Sequence, residues 1–134
     1  MEGQKRKILI VDDDNFLLDM YALKFSQNNF EVYTAGSGVT VLEKLRGGLC
    51  PDVILMDIIM PEMDGFETLT QTNKENLCPS CIKIILSNKS EQKDIEEGSR
   101  LGVAGYIVKA SSTPQEVIDQ VVKILESKKG TVPQ

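Results

Sequence analysis

Short continuous apolar runs recur along this chain, and between them apolar residues return only every third or fourth position. The runs are Ile8-Leu9-Ile10-Val11, Val53-Ile54-Leu55-Met56, Ile84-Ile85-Leu86 and Tyr106-Ile107-Val108. Their brevity reads as the strands of an open parallel sheet. Phe30 to Ala35 differs, because Phe30, Val32 and Thr34 alternate with Glu31 and Tyr33. That is the pattern of a half-exposed strand at a sheet margin.

The intervening stretches read as helices with recognisable ends. From Asn15 to Gln27, Leu17, Tyr21 and Phe25 repeat at i, i+4, i+8, flanked by Leu18 and Ala22, and Asn28-Asn29 stops the run. Ser37 caps a second helix carrying Val41, Leu42 and Leu45, which Gly47-Gly48 ends. Pro61 bars further sheet pairing, and Asp64 with Glu67 three residues on starts a third helix that runs to about Lys74. Thr113-Pro114-Gln115-Glu116 is the fullest start signal, followed by Val117, Val121 and Leu125 with Ile118 and Val122. The polar tail after Glu126 is expected to fray.

The fourth helical stretch, Ser90 to Leu101, has only Ile95 and Leu101 as large apolar residues, and Gly98 lies inside it. A mid-helix glycine costs on the order of 1 kcal/mol relative to alanine. A segment that buries so little belongs to the low-stability end of a structure, where moving elements are found. It reads as the mobile helix of the fold, or as a solvated surface helix with no role.

Strictly alternating strands and helices predict an α/β protein with a doubly wound parallel sheet. At 134 residues the chain is one domain, able to bury roughly two-thirds of its unfolded surface. It needs no disulfide or structural metal to fold. No stretch approaches the ~20 apolar residues of a membrane span, and Met1 to Lys7 lacks a signal-peptide core, so a cytoplasmic protein without membrane insertion is expected.

A net charge of −5 argues against direct nucleic-acid binding. The absence of histidine removes a histidine base, a Ser-His-Asp triad and a histidine metal site. Three cysteines cannot make a Cys₄ zinc site. Cys78-Pro79-Ser80-Cys81 has the CxxC spacing of a redox pair, but it precedes a strand where a reactive thiol prefers a helix N-terminus. The plainer reading is a loop with two semi-buried thiols.

Four of the five runs end in groups able to handle phosphate: Asp12-Asp13-Asp14, Asp57, Ser87-Asn88 and Lys109. Ligands of open parallel sheets bind beyond the carboxyl ends of the strands. Clustered carboxylates repel one another unless a cation neutralises them, and Mg²⁺ accepts such a site while keeping waters and phosphate oxygens. Taken singly, Asp12 reads as a helix cap, Ser87 as a turn residue and Lys109 as a solvated charge. Four complementary strand ends together point to one crevice.

The run Ile8 to Asp14, the segment Leu55-Met56-Asp57-Ile58-Ile59-Met60-Pro61-Glu62-Met63-Asp64-Gly65, Ser87 after an apolar strand and Gly105-Tyr106-Ile107-Val108-Lys109 together resemble the receiver domain of two-component response regulators, the CheY-like family. The resemblance covers about residues 5 to 127. It implies a flavodoxin-like (βα)5 fold with strand order 2-1-3-4-5, a receiver unit over 5–128, and flexible ends at 1–4 and 129–134. By the same resemblance Asp57 accepts a phosphoryl group from the histidine of a sensor kinase or phosphotransfer protein. Asp12, Asp13, Asp57 and the backbone carbonyl of Ile59 hold Mg²⁺, while Ser87 and Lys109 engage the phosphoryl oxygens. Tyr106 turns inward as Ser87 moves, and a surface of the fourth helix, fifth strand and fifth helix switches its contacts with a downstream effector protein. The chain is then a phospho-acceptor regulator rather than an enzyme, apart from hydrolysis of its own acyl phosphate. Ile59 and Lys89 flank the route to the phosphoryl group. Whether phosphorylation drives dimerisation stays open.

Two positions depart from the family pattern. Ala110 stands where a proline, often cis, usually follows the lysine, and a cis bond without proline costs ~2.5–4 kcal/mol. Asn88 stands where a small residue usually follows the hydroxyl, and its bulk restricts the travel of Tyr106. Three other readings compete. A haloacid-dehalogenase-type aspartyl phosphatase needs an acid two residues after its nucleophile, where Ile59 stands. A receiver-like module that binds without phosphorylation would not need all of Asp12, Asp13, Asp57, Ser87 and Lys109. The third is a receiver excised from a longer regulator with a DNA-binding output domain.

Overall fold

Parallel strands cannot be joined by tight turns, so each strand of this sheet is followed by a helix that carries the chain back to the next start. The computed structural model describes residues 5–130. Strands β1 (Arg6–Val11), β2 (Phe30–Ala35), β3 (Val53–Met56), β4 (Ile82–Ser87) and β5 (Gly105–Val108) are separated by α1 (Asn15–Gln27), α2 (Gly38–Arg46), α3 (Gly65–Lys74) and α4 (Gln92–Arg100), and α5 (Pro114–Gly130) closes the order. All pairings are parallel and the sheet order is β2-β1-β3-β4-β5, as expected for a flavodoxin-like (βα)5 fold.

The two-residue side-chain period of each strand divides the interior into two cores. Ile8, Ile10, Leu55, Ile84 and Leu86 face α1 and α5, meeting Phe25 and Val121 among others. Leu9, Val11, Ile54, Met56 and Ile85 face the opposite way, against Val41, Leu45 and Leu69 of α2 and α3. Every residue of β3 is buried, whereas β2, at the margin, buries only its end residues Phe30 and Ala35. The continuous and alternating patterns of the sequence thus correspond to central and edge strands.

Helix starts follow local chemistry. Asp64 and Glu67 form a reciprocal capping box at α3, with Glu67 N–H to Asp64 Oδ1 at 2.8 Å and Asp64 N–H to Glu67 Oε1 at 2.9 Å. Thr113 and Glu116 do the same for α5. The α1 cap is Asp14, whose Oδ1 accepts the N–H groups of Phe16 and Leu17. Asp12 is therefore not the cap, and its carboxylate is free for other work. Asn29, at φ 69°, turns the chain out of α1, a conformation asparagine tolerates better than most residues.

Three expectations need correction. The helix expected to fray after Glu126 continues to Gly130, since neither Ser127 nor Lys128 breaks a helix. The helix thus runs through residues 129 and 130 of the expected flexible end, and residues 1–4 and 131–134 lie outside the described residues. The fourth helix is shorter than Ser90 to Leu101, beginning only at Gln92.

The third correction concerns the CxxC. Cys78 to Cys81 is a β-turn closed by Cys81 N–H to the Cys78 carbonyl at 3.0 Å, and it sends its two sulfurs different ways. Cys78 is disulfide-bonded to Cys50, 28 residues earlier, with Cα atoms 5.4 Å apart. Cys81 is a free, buried thiol, pushed by burial up to about 12. The loop holds half of a disulfide and one core residue instead of a pair of semi-buried thiols.

Candidate functional site

Register brings the strand ends level. Val11 pairs with Ala35 and Met56, Met56 with Ile85, and Ser87 with Val108, so Asp12, Asp57, Ser87 and Lys109 all fall at the carboxyl edge of the sheet. The chain leaves β3 under tight control: Asp57 N–H donates to the Val11 carbonyl at 3.0 Å and Gly65 N–H to the Ile58 carbonyl at 2.8 Å. A Cβ on Gly65 would lie 2.4 Å from the Asp57 carbonyl oxygen. Only glycine lets the start of α3 approach the Asp57 backbone that closely.

Lys109 joins the two buried acids. Its Nζ donates to Asp12 Oδ2 at 2.6 Å and to Asp57 Oδ2 at 2.8 Å. The other oxygens are held by backbone: Asp12 Oδ1 accepts from Asp14 N–H at 2.9 Å, and Asp57 Oδ1 from Ile58 N–H at 2.7 Å and Ile59 N–H at 3.3 Å. Asp12 and Asp57 are 2% and 7% exposed. Burial pushes the Asp12 carboxyl above its ordinary value, against the pull of Lys109. Burial works to lower Lys109, but its bonds to Asp12 and Asp57 prevail and hold it above the usual lysine value. Lys109 is therefore an enclosed ion-pair partner and not a solvated charge.

Asp13 completes the acidic group from the solvent side, with ligand oxygens of Asp12, Asp13 and Asp57 all within 4.8 Å of one another. Ile59 is held beside Asp57 by its N–H while its side chain stands 59% exposed.

Ser87 is fully buried, and its Oγ accepts the Lys89 N–H at 3.2 Å. The Tyr106 hydroxyl donates to the Lys89 carbonyl, and burial, with the nearby Asp94 and Asp57 charges, pushes it up to about 12. The Lys89 ammonium pairs with Asp94 Oδ1 of α4 at 3.0 Å. The Asn88 Oδ1 accepts the Ala110 N–H at 2.7 Å. No cis peptide occurs among the described residues, so Lys109-Ala110 is trans and opens a single 3-10 turn, Lys109–Ser111.

Sequence reasoning thus named every charged member of the crevice but missed Asn88 as a bridge, Asp94 as the buried partner of Lys89, and Asp14 as the cap. The last was readable from its place immediately before the helix; the first two depend on contacts across loops.

Five parallel strands in this order, with carboxylates, a lysine and a serine gathered at their carboxyl ends, define a doubly wound α/β fold with its polar crevice where such sheets bind ligands. Residues 8–122 match the family model described as response regulator receiver domain, and the chain belongs to that family. It is 30% identical over 128 residues to the alkaline phosphatase synthesis transcriptional regulatory protein PhoP of Bacillus subtilis, covering 96% of this chain and 52% of that protein. It is 36% identical over 109 residues to a protein-glutamate methylesterase/protein-glutamine glutaminase of Syntrophomonas wolfei, covering 80% of this chain and 30% of that protein. The chain therefore spans about half the length, or less, of these curated relatives. A CheY-like receiver domain protein from Methanospirillum hungatei superposes with a TM-score of 0.85 at 25% identity, over 95% of this chain and 98% of that one.

Proposed function

We propose that this receiver takes a phosphoryl group onto Asp57 from the phosphohistidine of a sensor kinase or phosphotransfer protein, and so changes which effector protein its α4–β5–α5 surface binds. The observation that carries this reading is the Lys109 ammonium, bonded at once to Asp12 and Asp57. An acceptor carboxylate with a cation poised beside it is what phosphoryl transfer needs, since the protein contributes chiefly position and charge.

An Asp57 oxygen forms the new P–O bond as the P–N bond to the donor imidazole breaks. The electron pair stays on the imidazole nitrogen, which takes a proton. The amides of Ile58 and Ile59 fix one Asp57 oxygen, so the carboxylate presents its other to the donor. Lys109 can then transfer a hydrogen bond from Asp57 to a phosphoryl oxygen without leaving Asp12.

The donor set fits Mg²⁺, being three carboxylates with one on the solvent side. Asp12, Asp13 and Asp57 would hold it with the Ile59 carbonyl; when bound it supplies positive charge to the phosphoryl oxygens.

Ser87 donates to a phosphoryl oxygen in this scheme, and its movement reaches Tyr106 through Lys89, which hydrogen-bonds both. The receiver unit is taken as 5–128, acting in the cytoplasm as a phospho-acceptor regulator. No helix among the described residues is long and apolar enough to cross a membrane.

The test is intact-mass spectrometry after incubation with Mg²⁺ and acetyl phosphate, on the wild type and Asp57→Asn together. One phosphoryl adduct on the wild type alone is expected. Uptake by Asp57→Asn would move the acceptor elsewhere, and no adduct on either would favour a module that binds without phosphorylation.

A further inference from the structure

The opposite pole of the sheet, where β3 and β4 begin, carries chemistry that phosphoryl transfer does not use. Cys50 lies in the loop between α2 and β3, Cys78 in the loop between α3 and β4, and their disulfide ties the two loops together. Cys50 is exposed and lines a cleft of about 310 Å³ with Arg6, Pro51, Asp52, Ser80 and Ile82. Cys78 is half-buried against the core that faces α2 and α3.

We propose that this cleft is a thiol–disulfide exchange site, in which an anionic thiol attacks Cys50 Sγ and Cys78 is the leaving group. Access selects the sulfur, because exchange requires the incoming thiolate to reach the sulfur it attacks. Arg6 places a cation in the cleft, which favours an approaching thiolate. The Asp52 carboxylate also lines it, but its Oδ2 accepts the Lys7 N–H at 2.7 Å. Ser80 Oγ stands 3.9 Å from Cys50 Sγ and 4.0 Å from Cys78 Sγ, within reach to donate to a departing sulfur.

The exchange balances in two steps. The attacking thiolate forms a bond to Cys50 Sγ while the Cys50–Cys78 bond breaks, and the electron pair leaves on Cys78 sulfur, which takes a proton. A second thiol then attacks the mixed disulfide, releasing Cys50 as a thiol and the reductant as its own disulfide. Two electrons and two protons pass to the protein.

Backbone hydrogen bonds tie both loops to the sheet beside the bridge. Asp52 N–H donates to the Lys7 carbonyl at 2.9 Å and Ile82 N–H to the Asp52 carbonyl at 3.0 Å. The sheet therefore holds while the loops separate, and exchange takes place on folded protein. Cys81 stays apart, enclosed in the core.

The experiment is peptide mapping of the full-length oxidised protein after brief exposure to glutathione without denaturant and acid quenching, with dithiothreitol as the dithiol arm and circular dichroism to follow the fold. The expected glutathionyl adduct is on Cys50 in about tenfold or greater excess over Cys78. Dithiothreitol should convert the protein fully to three thiols with an unchanged spectrum. Adduct chiefly on Cys78, reduction only where the spectrum shows unfolding, or no Cys50–Cys78 bond after treatment of the reduced protein with glutathione disulfide would each overturn the proposal. Wild-type mapping suffices even if a Cys78→Ser variant fails to fold.

Discussion

Asn88 Oδ1 accepts the backbone N–H of Ala110 at 2.7 Å, joining the segment after β4 to the turn after β5. The bond exists because residue 110 has an N–H to give, which proline lacks. It anchors the neighbour of Lys109, and hence the base of the side chain that reaches Asp12 and Asp57. Asn88→Ala should cost about 0.5–1.5 kcal/mol in urea unfolding and speed amide exchange at Ala110. Asn88→Asp retains an acceptor and should keep that amide protected; equal exchange in all three proteins would deny the bridge a role.

Gly65 fixes the approach of α3 to the acidic crevice. Its missing side chain leaves room for the Asp57 carbonyl oxygen, with Ile58 Cα the next nearest atom, 2.9 Å from a built Cβ. Both are backbone atoms that cannot swing aside. Gly65→Ala should therefore destabilise by about 1–3 kcal/mol and shift the amide resonances of Asp57 and Ile58. An unaltered unfolding curve would show that the loop yields more easily than its hydrogen bonds imply.

Among the described residues, Lys109 is the only side-chain cation bonded to Asp12 and Asp57. Its loss leaves enclosed carboxylates facing one another, a change that commonly costs about 3–5 kcal/mol at a fully buried pair and less where water reaches. Lys109→Ala should melt lower than wild type in EDTA and recover more than wild type when Mg²⁺ is added, because a ligand that binds only the folded state stabilises it by mass action. Identical melting shifts with Mg²⁺ in both proteins would place the ion away from this crevice.

Glu75, the C-cap residue of α3, carries a pH dependence of different origin. Its hydrogen bond from Arg46, then that from Gln71, lowers its carboxyl from 4.5 to about 2. A depressed folded-state value contributes stability that is fully present above about 4.5 and is lost as pH falls through about 2. The exposed setting and salt screening keep the contribution modest. Glu75→Gln should lie below wild type in thermal melts near neutral pH, and the two should converge in acid. A gap independent of pH would assign the effect to packing.

Much of the site was legible because strand ends carry it. An apolar run with a single polar residue after it marks both where a strand stops and what it delivers, so Asp12, Asp57, Ser87 and Lys109 could be placed in one crevice without coordinates. Cysteine pairing could not be read this way. Cys78 and Cys81 are close in sequence, yet the turn between them separates their sulfurs and brings Cys78 to Cys50, a proximity set by two loops packing side by side. The Asn88 bridge spans 22 positions and Lys109 reaches back 97; the second was anticipated only because complementary charge at strand ends has few places to go. The length of α5 was misjudged because polarity was taken for disorder, although a polar tail without breakers can extend a helix already nucleated by a strong cap.

Helix α4 buries only Asp94 and Gly98 of its nine residues. Where Gly98 meets the sheet, Ile85 Cδ1 lies 3.0 Å from a built Cβ, so the helix rests on its backbone instead of on interlocked side chains. Its front end is moored by Lys89 to Asp94. A helix that buries so little apolar surface, and whose one buried carboxylate is paired with Lys89, has its position set by charge as well as by shape. Ionic strength, which acts through charge, therefore holds more leverage over this helix than over any element locked into the cores, and the proposed phosphoryl group would act on it in the same way.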